Sequence, residues 1–547
     1  MKNLTNRFLK PATWLLACLN LAASLHAQTS DTPRFPHPER IRYDGHCLQI
    51  ENKDFFLSSA AFHYYRTPKE LWRDRFQKIK DAGFNAVETY VPWNWHERDL
   101  PSGLDDFSKI DLTEFESWLK MAHEEFGFYT IVRPGPFICA EWGGGGYPRW
   151  LAKFNSWIGK EFWLRSAEDT HIAWSVHWYE AVCKVFAREQ ITRKPKGAKG
   201  IILVQIENEY DYHKAPDKPK LLRALYQAVN KAGVDVPVFT CRTEETRGSK
   251  DPVLSQVFDC DNLYVPLDGA PGCAERMVSL RAKQPQAPAF VTELQGGWFS
   301  LLGDKLSEEN YSDARHSNAI HLMSLLGGST GLNPYMFTGG THFGGWGARG
   351  QTTTYDYNAA IREWGALGPK YYVAKGVNEF VQAYDSRLAR AEGGPCELRG
   401  APTSLFGGVR ISPDGTRFVF LHNTDANKSI SGKVTVVPGK INRASGPIYN
   451  YDQEGNRVLV ETENADTQVT DVAPFEVGYD LADLGAKVLV IPPGKTPAEG
   501  VWYPKAQQIP APTPLPAPVR IASALKHLDP LDGAWQTLPD GKSLPEL

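Results

Sequence analysis

Between about residues 55 and 395 the chain alternates short apolar runs with longer amphipathic stretches. Continuous apolar runs mark strands buried on both faces, and amphipathic stretches between them suit crossover helices. Eight such runs occur: Phe55 to Ala60, Ala86 to Val91, Tyr129 to Pro134, Ile201 to Glu207, Val238 to Cys241, Asn262 to Val265, Ala289 to Leu294 and Leu332 to Phe337. Helical spacing of apolar residues falls between them, over Thr113 to Phe126, Glu161 to Arg188, Leu221 to Ala232 and Asn318 to Leu326. Eight strand–helix units predict an α/β fold, a closed (β/α)8 TIM barrel, with functional groups at the carboxyl ends of its strands. An open doubly wound sheet is the alternative; the strand count and the lack of a Gly-rich phosphate fingerprint weigh against it.

After residue 396 the texture changes to β-branched runs punctuated by turns, such as Arg417 to His422, Gly432 to Val437 and Ala486 to Ile491. These predict a smaller all-β, sandwich-like accessory domain over residues 396–502 behind a barrel over residues 28–395. Residues 503–547 open on a proline-rich linker, and the final residues read as the start of a missing or truncated domain. At the other end, Lys2, Arg7 and Lys10 precede an apolar stretch from Trp14 to Leu25 and then Leu-His-Ala27, the layout of a signal peptide over residues 1–27. Export to the periplasm or the extracellular space is the expectation. Leu15-Leu-Ala-Cys18 resembles a lipoprotein box, but the apolar stretch runs on past Cys18, so a lipid anchor is not expected.

A formal net charge of −3 and a pI near 6.6, with no long basic run, argue against nucleic acid or an anionic membrane surface as partner. Nothing in the apolar segments calls for a membrane span. The 16 Trp, 22 Tyr and 26 Phe suit stacking on pyranose rings, although large cores use such residues too. Beyond the leader the cysteines are odd in number and sparse, so disulfides are not a framework; only Cys260 and Cys273, flanking a Gly/Pro stretch, are placed so that they could pair. No motif calls for a metal or a cofactor.

The chemistry lies where apolar runs end in acids. Ile201-Ile-Leu-Val-Gln-Ile-Glu-Asn-Glu209 closes a buried strand with Glu207, Asn208 and Glu209, and Ala289-Phe-Val-Thr-Glu293 closes another with Glu293. A lone Asn-Glu pair is usually a solvated surface feature, but in this apolar setting one of Glu207 and Glu209 must work or be paired. Strand alternation would put Glu207 and Glu209 on one face and Asn208 on the other. Paired carboxylates on separate strands are what glycoside hydrolysis needs: about 5–5.5 Å apart, one attacks the anomeric carbon, whereas about 6.5–9.5 Å admits a water and inverts. A third acid, Glu141, sits beside Trp142 and four consecutive glycines after the third strand. Those glycines suit either flexibility or close approach of backbone to a ligand.

Several stretches resemble glycoside hydrolase family 35: Phe62-His-Tyr-Tyr-Arg-Thr-Pro68, Glu88-Thr-Tyr-Val-Pro-Trp-Asn-Trp-His-Glu97, Arg133-Pro-Gly-Pro-Phe-Ile-Cys-Ala-Glu-Trp142, Gln205-Ile-Glu-Asn-Glu-Tyr210, Gly339-Gly-Thr-His-Phe-Gly344 and Thr354-Tyr-Asp-Tyr357. The resemblance covers about residues 40–380 and implies a retaining hydrolase of terminal non-reducing β-D-galactosyl residues. It implies Glu209 on strand four as acid/base and Glu293 on strand seven as nucleophile. It also implies sugar contacts at Tyr90, Cys139, Ala140, Glu141, Asn208, Trp298 and Tyr357, with Asn208 at the 2-hydroxyl. Three places depart from the pattern: Gln295 follows the nucleophile by two residues where an aromatic is frequent, Glu141-Trp-Gly-Gly-Gly-Gly stands where a Glu-Trp-Glu/Asn-Gly-Gly type of stretch is usual, and His342 stands where Asn is common. Gln295 keeps open a different sugar, such as a β-glucosaminide, and a catalytically impaired carbohydrate-binding barrel is the reading from another class.

Overall fold

The computed structural model describes residues 35–154, 163–307, 312–442, 448–451, 457–461 and 469–504. The expected leader and all but the first residues of the proline-rich tail lie outside them. Eight parallel strands close into a barrel: β1 (Leu57–Ala61), β2 (Ala86–Tyr90), β3 (Tyr129–Arg133), β4 (Ile201–Gln205), β5 (Val238–Cys241), β6 (Phe258–Leu263), β7 (Ala289–Gln295) and β8 (Ser329–Tyr335). Closure is made by β8 pairing with β1, Gly331 opposite Leu57 and Leu332 opposite Ser58. Nearly every residue of these strands is buried, which is why they read as unbroken apolar runs.

The strand predicted at Asn262 to Val265 starts four residues earlier. Its Asp259 hid it, because an acid inside a strand breaks the apolar pattern. That carboxylate is buried and satisfied by Thr240 Oγ1 at 2.9 Å, Thr243 N at 3.1 Å and Arg247 Nε at 2.8 Å.

Helices follow the strands: α1 (Lys69–Asp81), α2 (Thr113–Lys120), α3 (Asp169–Glu189), α4 (Lys218–Lys231), α5 (Ala270–Lys283), α6 (Ala314–Leu326) and α7 (Pro369–Ala389). The β5–β6 connection carries only the short turn Leu254–Gln256. Cys260 and Cys273 do not pair, and every cysteine among the described residues is free. Cys260 belongs to β6 and the core inside the barrel, whereas Cys273 lies in the first turns of α5 and faces a second core outside it. They flank the β6–α5 loop but face different cores.

A five-stranded antiparallel sheet follows, ordered Glu392–Pro395, Leu405–Ile411, Arg417–Asn423, Ala486–Ile491 and Val501–Tyr503. Its first strand begins at Glu392, so the boundary expected at 396 moves back to the end of α7. Alternate residues of the central strands serve two cores. Phe418, Phe420, Val488 and Val490 pack on Leu322 and Met323 of α6 and on Val377 and Phe380 of α7. Val419, Leu421, Leu489 and Ile491 face Val434, Val436 and Val477 of a three-stranded sheet. The sheets therefore form a sandwich fused to the barrel through a shared apolar layer.

Fusion of this kind makes a core truncation in the sheet felt by the whole molecule. Phe418→Ala is expected to cost about 3–5 kcal/mol and to lower the urea midpoint of barrel and sheet together. A barrel fluorescence transition that stays put while sheet signals shift would show the two layers to be uncoupled.

Candidate active site

Side chains from β2, β5 and β7 and from the end of β4 converge on one buried guanidinium at the carboxyl end of β3. Arg133, the last residue of β3, donates from Nη2 to Glu293 Oε1 at 2.7 Å and to Asn208 Oδ1 at 2.9 Å, and from Nε to Gln205 Oε1 at 2.7 Å. Its Nη1 lies 3.4 Å from Glu88 Oε1, and its guanidinium carbon sits 3.9 Å over the ring of Tyr90. A buried cation is tolerable only when so partnered.

Glu293 accepts three donors: Arg133, the Tyr90 hydroxyl at 2.7 Å on Oε1, and the Tyr264 hydroxyl at 2.7 Å on Oε2. Tyr90 also lies 2.8 Å from Asn208 Oδ1. That oxygen is further approached by Gln205 Nε2 at 3.2 Å and Cys241 Sγ at 3.1 Å, so the Asn208 amide is oriented with its nitrogen outward. Among the described residues that nitrogen has one partner and a weak one, the Ile138 carbonyl at 3.4 Å.

Strand alternation fails beyond Gln205. Glu207 and Glu209 both take left-handed backbone, at φ of 56° and 46°, so the three residues splay in three directions. Glu207 turns away to Arg165, which reaches it from Nη2 at 2.8 Å, and receives the Asn208 amide N–H at 2.7 Å. It is the paired acid of the two. Asn208 points inward, and Glu209 faces the cavity with one described donor, Asn262 Nδ2 at 3.0 Å on Oε1. Burial first and the Glu293 charge second push the Glu209 carboxyl up to about 7, although Asn262, Arg242 and Arg133 pull the other way. Thus one carboxyl is gripped by three donors while the other is lightly held and shifted toward neutrality.

Cys139, Ala140 and Glu141 form a left-handed tip at φ of 54°, 53° and 48°. It is clamped rather than mobile: Arg66 Nη2 donates to Ala140 O, Ala348 N to Glu141 O at 2.9 Å, and the Tyr355 hydroxyl to Glu141 Oε2 at 2.5 Å. Burial pushes the Glu141 carboxyl up to about 7. The glycine run is fixed too, since a Cβ on Gly145 would lie 2.2 Å from the Phe137 ring. Tyr357, also left-handed at 61°, packs against Tyr335 and Tyr355 with ring centroids 5.7 and 5.2 Å away. Its carbonyl receives Trp298 N at 3.1 Å, an approach that leaves no room for a Cβ on Gly297. Trp298 is 37% exposed at the cavity mouth, edge-on to Tyr264 at 5.5 Å.

All nine residues singled out in the sequence therefore lie around the barrel's carboxyl end. Arg133, Asn262 and Tyr264 were not singled out. Arg133 carried a usable signal, a charge at the end of a buried run; Asn262 lies near the end of the strand masked by Asp259, and Tyr264 just after it. Gln295 is taken up by the fold. It is buried, and its Oε1 accepts from Val265 N at 3.1 Å, tying β7 to the segment that carries Tyr264. His342 is buried between Tyr355 and Trp142, at 5.0 and 6.1 Å between ring centroids.

A (β/α)8 barrel with one buried and one raised carboxyl at the ends of β7 and β4 is the framework of glycosidases. The model of the glycosyl hydrolases family 35 matches residues 47–381, and the chain belongs to that family. It is 32% identical over 366 residues to a protein of Bos taurus named beta-galactosidase, covering 66% of this chain and 52% of that one. Its identity to the beta-galactosidase of Homo sapiens is 33% over 347 residues, 62% of this chain and 47% of the relative. The match thus spans about half the length of these relatives. Among solved structures, the beta-galactosidase from the psychrophilic Marinomonas ef1 overlays with a TM-score of 0.43 at 10% identity, over 60% of each chain.

The electrostatic coupling between the two acids is directly measurable. With 13C-labelled glutamate and a Glu209→Gln difference spectrum for assignment, the Glu209 carboxyl is expected to titrate near 7. In Glu293→Gln the like charge is gone, and the Glu209 transition is expected to move to lower pH. An unmoved transition would show that the two carboxyls do not sense each other.

Proposed function

We propose that this chain is a retaining β-galactosidase that releases terminal non-reducing β-D-galactosyl residues. The observation that carries the reading is the unequal environment of the two acids. Glu293, fixed by Arg133, Tyr90 and Tyr264, is the nucleophile; Glu209, raised to about 7, is the acid and then the base.

In the first half-reaction a Glu293 oxygen attacks the anomeric carbon, the bond to the aglycone oxygen breaks, and that oxygen takes the Glu209 proton. The mutual repulsion between the acids falls once Glu293 is esterified, so Glu209 is then ready to accept a proton. In the second half Glu209 takes it from an incoming water, whose oxygen bonds to the anomeric carbon as the ester to Glu293 breaks. Asn208, its oxygen occupied, presents an N–H to the sugar 2-hydroxyl. Tyr90, Cys139, Ala140, Glu141, Trp298 and Tyr357 form the remaining sugar contacts.

Galactose as the sugar is supported by the names of the relatives. The buried, bonded side chain of Gln295 removes the main reason for expecting another sugar. The ordered acid pair speaks against a barrel that only binds. The basic and apolar N-terminal stretch supports export as the setting of the reaction.

A panel of aryl β-glycosides, with the first-formed anomer followed by NMR, tests this. The galactoside is expected to turn over best and to yield β-galactose first; turnover of another glycoside alone would overturn the substrate, and α-galactose the mechanism. Glu293→Gln is expected to lose more than about a thousandfold in kcat. Glu209→Ala is expected to lose about 10²–10⁴-fold on alkyl galactosides and far less on dinitrophenyl galactoside, with azide restoring turnover as the β-galactosyl azide. Equal losses on both leaving groups would undo the assignment of roles.

A further inference from the structure

Outward from Glu209 the chain exposes an aromatic ring that the sugar cavity does not use. Tyr212, three residues beyond the acid, is 65% exposed, although the turn that carries it is firmly held. Glu209 N donates to Cys241 O at 3.1 Å, Asp211 N to Arg242 O at 2.9 Å, and Tyr212 N to Glu209 O at 3.1 Å. The Asp211 carboxylate is fixed in turn by Glu244 N at 2.7 Å and Arg247 Nη2 at 3.2 Å.

One face of the ring is taken. The Arg242 guanidinium carbon sits 4.7 Å from its centroid, and Arg242 is itself steadied by the Asn262 carbonyl at 3.4 Å and by Asp261 at 3.6 Å. Arg276 locks Asp261 from the other side, with Nε 2.9 Å from Oδ2. Asn262 is also the donor to Glu209, so ring, cation and acid belong to one connected frame. A side chain left this open is ordinarily free to move, whereas this one is held by Arg242 while 65% of it stays exposed.

We propose that Tyr212 is an aglycone platform, on whose free face the sugar ring bonded to the departing oxygen stacks, so that the substrate class is β-galactosides of a second pyranose. This rests on Glu209 being the acid. The departing oxygen lies beside the proton donor, and the groups assigned to galactose, Glu141, Asn208 and Tyr357, form the inner side of the cavity. The rest of the substrate must leave outward past Glu209, where Tyr212 stands. Stacking of pyranose C–H groups on a fixed aromatic face needs no charge on the aglycone.

The test compares a β-galactosyl disaccharide with β-galactosyl fluoride, which has no aglycone ring. In Tyr212→Ala the ratio of kcat/KM for disaccharide to fluoride is expected to fall about tenfold, while Tyr212→Phe and Tyr212→Trp keep it within about threefold. A loss of packing alone would depress both substrates and leave the ratio unchanged, overturning the proposal. So would a fall in Tyr212→Phe matching that in Tyr212→Ala, because it would make the hydroxyl, not the ring face, responsible. In a second measurement the unaltered enzyme is given the fluoride and a methyl β-glucoside as acceptor. The acceptor hydroxyl replaces water, bonding to the anomeric carbon as the Glu293 ester breaks and its proton passes to Glu209. The transfer product is expected to fall relative to galactose in Tyr212→Ala, and an unchanged ratio would count against the platform. Failure of the unaltered enzyme to cleave the fluoride would overturn the functional reading beneath, and the platform with it.

Discussion

Everything at the carboxyl end of this barrel is organised around the charge of Arg133. A guanidinium buried in the barrel must have anionic and carbonyl partners, and the chain supplies them from β2, β4 and β7 at once. Each of its three nitrogens has a partner, so the positions of Glu293, Asn208 and Glu88 are set relative to one another rather than separately. The raised carboxyl of Glu209 owes most to its burial and next to the charge of Glu293, which Arg133 fixes in place beside it. A rim of polar residues on flexible loops would not impose such an order.

The barrel was legible in the sequence because parallel strands buried on both faces leave continuous apolar runs, and seven of the eight fall where the runs are. The eighth, β6, was misplaced by the same rule: Asp259 looks like a strand end until Thr240, Thr243 and Arg247 are seen around it. Glu209 and Glu293 were legible as acids at the ends of apolar runs. The separation of Glu207 from Glu209 was not, since alternation presumes extended backbone and both residues are left-handed. Tyr264 and Gln295 owe their importance to a contact between β6 and β7, and no pattern within one strand encodes a contact between two.

The sandwich shows a similar limit. Its strands announce themselves by β-branched runs, but the runs do not say that one face is shared with α6 and α7. The sequence reading of an accessory domain behind a separate barrel therefore becomes a layer on the outside of the barrel, entered directly from α7.

The two sides of the cavity draw on different loops. Its inner wall is the Cys139–Glu141 tip clasped by the segment after β8, with Trp142 and Trp346 stacked 5.4 Å apart and only 3° from parallel. Its outer edge, where Glu209, Tyr212 and Arg242 stand, belongs to the loops after β4 and β5. Lineages descending from such a scaffold can exchange the outer loops while the clasp behind the two acids stays as it is. Change at the rim and constancy at the inner wall are thereby separable traits, written on opposite sides of one barrel.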